Sequence, residues 1–135
     1  MKVPLQRPLL FDLQALLSWA GADVPAAVVR RVKEGYMVYV SIVSAWEFIL
    51  KEQRYKFNIE YGQLLETIER LQGELLPIKQ SHLDKLKGMP VIERHHDPFD
   101  RLLVAQALEE DFILVGGDEM FARYSKAFAL KVLWN

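Results

Sequence analysis

Residues 97–115 read Asp97-Pro98-Phe99-Asp100-Arg101-Leu102-Leu103-Val104-Ala105-Gln106-Ala107-Leu108-Glu109-Glu110-Asp111-Phe112-Ile113-Leu114-Val115. A helix and a strand follow one another in this stretch. Phe99, Leu102, Leu103 and Ala107 recur every three or four positions, the spacing of one helix face. Asp97 before a proline has the form of an N-cap with proline in the first turn. Phe112-Ile113-Leu114-Val115 is then an unbroken apolar run, as expected of a strand buried on both faces. One acid, Asp100, stands in the first turn of the helix, and another, Asp118, just past the strand.

The alternation continues in both directions. Residues 8–11, 37–40 and 74–78 are further short apolar runs, and 130–134 is a weaker fifth. Between them, Val28, Val29 and Val32 form one helical stripe, and Leu64, Leu65, Ile68 and Leu71 another. Pro25 opens a helix to about residue 34 and Gly35 ends it; Gly73 closes a helix begun near Glu60; Gly88-Met89-Pro90 marks a loop. Shorter helices are expected at 13–20, from Ser41 or Ile42 onward, and at 120–124. Strand and helix in alternation predict an α/β fold with a central, mainly parallel, five-stranded sheet covered by helices.

Composition narrows the function. A chain of 135 residues suits a single domain, 1–135, and its 51% hydrophobic and 26% charged residues fit a globular protein. With no cysteine there is no disulfide, thiolate zinc site or cysteine nucleophile, in keeping with a reducing cytoplasm. Lys plus Arg (17) and Asp plus Glu (18) nearly cancel, so nucleic acid would have to be met by a local patch. The N-terminus does not read as a secretory signal. The most apolar segment, 36–50, is broken by Ser41, Ser44 and Glu47 and reads as core, not as a membrane span.

In parallel sheets, functional groups gather beyond the carboxyl ends of the strands. Asp12 and Asp118 follow strands there, Glu47 lies about two turns into the helix after the second strand, and Asp100 opens its own helix. Carboxylates brought together repel one another, and an oxygen-liganded cation such as Mg²⁺ relieves the repulsion. The chemistry implied is metal-assisted hydrolysis of a phosphate ester. Each acid has a plainer explanation: Asp12, Asp97 and Asp118 as helix caps, Glu47 as the i,i+4 partner of Lys51. From composition and spacing, both explanations stay open.

The run from His96 to Ala107 resembles the most specific motif of bacterial PIN domains of the VapC toxin type. Other pieces follow in the expected order: Leu9-Leu10-Phe11-Asp12, then Ser44-Ala45-Trp46-Glu47 with Lys51, Leu75-Leu76-Pro77-Ile78, Leu114-Val115 through Asp118, and Val132-Leu133-Trp134. The resemblance implies a three-layer α/β/α sandwich and a Mg²⁺- or Mn²⁺-dependent endoribonuclease. It implies Asp12, Asp100 and Asp118 as metal ligands, with Glu47 binding through water or orienting the attacking water. It also implies an RNA substrate, a small antitoxin laid over the acidic groove, and a homodimer. Lys51 and Arg101 are the candidates for holding phosphate, with Arg54 and Lys56 nearby.

Two positions depart from the family pattern. Leu13-Gln14 stands where Thr-His is usual, and Gly116-Gly117 stands before Asp118 where a hydroxyl residue is usual. Loss of such supporting hydrogen bonds costs about 10–100-fold in metal affinity or activity. Paired glycines could offset this by presenting backbone N–H groups as an anion nest. The departures motivate an alternative: a catalytically weakened PIN domain that binds RNA or protein. A receiver-type signalling domain also clusters acids at strand ends, but it needs adjacent acids after the first strand and a late lysine, which are missing here. Arg30, Arg31 and Lys33 read as a solvated face, Trp19, Trp46 and Trp134 as core or interface, His95 and His96 as a loop pair near the third acid, and His82 as without a role.

Overall fold

The computed structural model describes residues 6–92 and 97–134. Its elements in chain order are β1 (Leu9–Phe11), α1 (Leu13–Ala20), α2 (Ala26–Lys33), β2 (Val38–Ser41), α3 (Ile42–Glu52) and α4 (Tyr61–Arg70). There follow β3 (Glu74–Leu76), α5 (Gln80–Gly88), α6 (Pro98–Glu110), β4 (Ile113–Val115), α7 (Glu119–Phe128) and β5 (Val132–Leu133). The five strands form one sheet in the order β3-β2-β1-β4-β5, every neighbouring pair parallel. The fold is α/β, as the alternation predicts.

Strand periodicity sorts the core into two halves. Leu9, Phe11, Val38 and Val40 face one way and pack with Leu16, Val28, Phe48, Leu64 and Ile68. Leu10 and Leu114 face the other way and pack with Leu103, Val104, Phe121 and Tyr124. Helices α1, α2 and α4, with part of α3, therefore cover one face and α5–α7 the other, which gives three layers.

Strand limits follow from proline chemistry. Proline has no N–H to give a ladder. Pro8 stays outside β1 although its carbonyl still accepts the Ile113 N–H at 2.8 Å, and β3 ends just before Pro77. Helix α7 extends to Phe128, beyond the expected 120–124, and α5 occupies a stretch with too weak an apolar pattern to announce a helix.

The strand order positions the site. From β1 the chain moves outward through β2 to β3, then returns to the opposite side for β4 and β5. The order reverses between β1 and β4, and at such a point the loops leaving the two strands diverge and open a crevice. Asp12 leaves β1 and the Gly116-Gly117-Asp118 segment leaves β4. Their bases are tied together by the Asp12 N–H donating to the Val115 carbonyl at 2.9 Å.

Candidate active site

A cavity of about 150 Å³ lies at this crevice, and Asp12, Glu47, Asp97, Asp100 and Asp118 all line it. The four acids singled out in the sequence are thus brought to one place with a fifth, Asp97. Three of the five are helix N-caps. Asp12 Oδ1 accepts from Ala15 N–H at 2.7 Å, Asp97 Oδ1 from Phe99 and Asp100 N–H at 2.9 and 3.1 Å, and Asp118 Oδ1 from Met120 N–H at 2.9 Å. Capping and lining the cavity are therefore not alternatives: one carboxylate oxygen serves the helix and the second remains. The positive ends of α1, α6 and α7 meet here and offset part of the repulsion among the acids.

The remaining repulsion and the burial are large enough to alter protonation. Asp12, only 6% exposed, has its pKa pushed from 3.8 to about 7 by burial, against the Ala15 hydrogen bond and with help from Glu47 and Asp118. Asp100 also rises to about 7, through burial first and then the charges of Asp97, Asp118, Glu47 and Asp12. Glu47 is 9% exposed and holds the Lys51 ammonium at 2.9 Å. Burial pulls the Lys51 pKa down, but Glu47, Asp97 and Asp100 outweigh it and leave the ammonium more firmly protonated. Asp118 stands exposed at the cavity mouth.

The donor set suits a hard divalent cation: carboxylate oxygens, poorly hydrated, with no sulfur or imidazole among the described lining residues. Among the described residues no three acids or histidines already stand in ligating positions. The acids thus share a cavity while standing apart within it.

The structure places both departures noted in the sequence and accounts for the one at Gly116. Leu13 is buried in the core, and Gln14 presents its side chain at the cavity. At Gly116 an added Cβ would strike the Asp12 carboxylate, whose Cγ would lie at 2.7 Å, and Phe121 Cε2 at 2.8 Å. Asp12 and Phe121 occupy the space that a side chain at 116 needs. The paired glycines do not form an anion nest. Gly116 donates its N–H to Leu133 at 3.3 Å, the Trp134 indole lies against Gly117, and neither glycine has the positive φ that a nest requires.

Other residues fall as follows. Lys51 lines the cavity. Arg101 does not: its guanidinium donates to the carbonyls of Met89 and Pro90 at 3.3 and 3.4 Å and bonds Tyr124, so it braces the chain leading to α6. Arg54 lies in an adjoining hollow. His95 and His96 lie outside the described residues. Trp19 and Trp134 pack against the core, whereas Trp46 is 51% exposed.

His82 has no role on the sequence reading, yet it is fully buried. Its Nδ1 accepts the Lys79 N–H at 3.0 Å, closing the capping box of α5, and its Nε2 meets Glu110 Oε2 at 2.7 Å, which fixes the proton on Nε2. Gln106 joins the same network: Nε2 donates to Pro77 O and His82 Nδ1, both at 3.2 Å, and Oε1 accepts from the Ser41 hydroxyl. Ser41 Oγ in turn caps α3, the helix that carries Glu47, by accepting from Val43 N–H at 3.0 Å. Ser44, quoted in the sequence only as part of the run ending at Glu47, stands three positions before Glu47 on the same helix face and forms part of the cavity wall.

The model of one protein family, described as the PIN domain, matches residues 9–127. Among solved structures, VapBC2 from Rickettsia felis bound to a promoter DNA fragment superposes with a TM-score of 0.65 at 11% identity, covering 94% of this chain and 98% of that one. DNA-bound VapBC from Salmonella typhimurium gives 0.64 at 13% identity, covering 95% and 98%. A toxin–antitoxin complex from Klebsiella pneumoniae gives 0.52 at 15% identity, covering 82% and 86%. No curated protein matches in sequence.

Proposed function

The chain belongs to the PIN domain family, and on that premise we propose that it is a metal-dependent endoribonuclease, the toxin of a type II toxin–antitoxin pair. One observation carries the proposal: five carboxylates line a single small cavity at the switch point of the sheet, two of them with pKa values near 7. Such a concentration of partly buried negative charge destabilises the protein unless a cation answers it. Asp12, Asp100 and Asp118 would hold Mg²⁺ or Mn²⁺. When bound, the ion lowers the pKa of a water ligand and neutralises charge on the phosphate.

The remaining tasks fall to the chain itself. Glu47, held in place by Lys51, orients the attacking water. The fold likeness to toxins solved with their antitoxins supports a small protein partner, whose natural seat is the acidic groove. A homodimer in the cytoplasm completes the reading; no helix among the described residues is long and apolar enough to cross a membrane.

The second reading, a binding module with weakened catalysis, is favoured by Leu13-Gln14 and Gly116-Gly117, which lack the side chains that would support the acids through hydrogen bonds. One assay divides the two. Single-stranded RNA incubated with the protein in Mn²⁺ should be cut, and chelator or Asp100→Asn should abolish cutting. Intact RNA in Mn²⁺, with RNA binding retained, assigns the chain to the binding module.

A further inference from the structure

Beside the acidic cavity lies a second hollow of about 380 Å³, walled by Leu50, Lys51, Gln53, Arg54, Tyr55 and Phe99. Lys51 and Phe99 line both, so the two are neighbours across a shared wall. Their chemistry is opposite: the second wall has two cations, two aromatic rings and no carboxylate among its described residues. Lys51 is taken up by Glu47, but Arg54 makes no ion pair among the described residues. Tyr55 is 63% exposed on a turn fixed by the Arg54 and Tyr55 N–H groups, which donate to the Lys51 carbonyl at 3.0 and 2.7 Å. Phe99 is held edge-on to Trp46 at 4.9 Å, one residue before Asp100.

We infer that this hollow is a nucleotide subsite, which seats the base and flanking phosphate next to the scissile phosphate of a single-stranded polynucleotide. The inference rests on the reading of the acidic cavity as a nuclease centre and adds to it a neighbouring base-binding seat. A phosphodiester approaching five carboxylates is repelled, and the adjoining cations supply the attraction that the cavity lacks. Rings such as Tyr55 and Phe99 stack any base, without sequence preference. A base can reach them only when it is unpaired, because duplex bases are already stacked on one another. Nucleotides in a chain are linked sugar to phosphate, so a base seated here leaves the next phosphate at the shared wall of Lys51 and Phe99.

Tyr55→Ala and Arg54→Gln test the inference, since both side chains are exposed and neither variant threatens folding. Binding is read by anisotropy of a short fluorescein-labelled single-stranded RNA in an Asp100→Asn background, where cutting is blocked and one repelling charge is gone. Tyr55→Ala should weaken binding about 5- to 100-fold. Arg54→Gln should lower the slope of log affinity against log salt by about 0.7. Duplex RNA of the same sequence should respond to neither change. In the native background KM should rise while kcat holds. Unchanged affinity and salt slope in both variants overturns the inference, whatever the activity of the chain. So does sedimentation showing that Tyr55→Ala splits a dimer, which would give the hollow to a second copy. RNA that is bound through Tyr55 but never cut removes the nuclease reading and leaves the subsite standing.

Discussion

Replacing Asp12 by Asn should make the metal-free protein more stable, by an amount that depends on pH. Burial and neighbouring charge hold the Asp12 pKa at about 7, roughly three pH units above that of an unfolded aspartate. The folded state therefore binds this proton more tightly than the unfolded state does. Stability contributed by the protonated carboxyl is fully present below about pH 4 and is lost as pH rises from about 4 to 7. At 1.36 kcal/mol per pH unit the loss reaches about 4 kcal/mol, and solvent screening at the cavity mouth brings it to about 2–4 kcal/mol. Asn has no proton to lose, and its side-chain oxygen can still accept the Ala15 N–H, so the cap survives.

In urea melts from pH 4.5 to 8, the gap between variant and native protein should widen in favour of the variant up to about pH 7 and level off above it. At pH 8 it should correspond to roughly 6–12 °C in Tm for a chain of this size. Millimolar Mn²⁺ should narrow or close that gap, because the ion binds the native carboxylate set and not the variant's, which adds about 2.7 kcal/mol at a hundredfold excess over Kd. A variant less stable than the native protein at every pH, with no response to Mn²⁺ in either, would refute the reasoning and leave Asp12 a structural cap.

Three further outcomes follow from the same geometry. Gly116→Ala should destabilise by about 1–3 kcal/mol in a urea melt, because the capped Asp12 carboxylate and the buried Phe121 ring cannot both retreat; an unchanged midpoint would mean the site is looser than described. Gln106→Leu strands the Ser41 hydroxyl and the Pro77 carbonyl, and should lower stability by about 2–4 kcal/mol, again by urea. Asp118→Asn, at an exposed cap, should leave stability within about 0.5 kcal/mol while reducing RNA cleavage beyond the roughly 10–100-fold that loss of a merely supporting hydrogen bond brings; a smaller drop removes Asp118 from the ligand set.

The strands and most helices were legible because burial imposes a period on the residues that undergo it. The runs at 8–11 and 112–115 could hardly be anything but strands buried on both faces. The strand order was not legible, since local pattern says nothing about which side of β1 receives the next strand. The same divide runs through the site. Asp12, Glu47, Asp100 and Asp118 could be found because each stands at a predictable distance from the end of an element. Arg101 could not be placed, since a long side chain in the first turn of a helix can point at the cavity or back toward Met89. His82 and Gln106 were invisible for a related reason. A histidine in Lys-Gln-Ser-His-Leu-Asp reads as solvated until α5 and α6 pack and give it Glu110 and Gln106 as partners.

The doubling of cap and cavity wall in Asp12, Asp97 and Asp118 has an evolutionary consequence. Aspartate and asparagine codons differ by a single base, and asparagine caps a helix about as well. If the proposed function holds, one point mutation can silence the chemistry while leaving the protein folded, and one reversion restores it. A lineage carrying such a gene has a short path between an active copy and a silent one, with no unfolded intermediate for proteases to clear along the way.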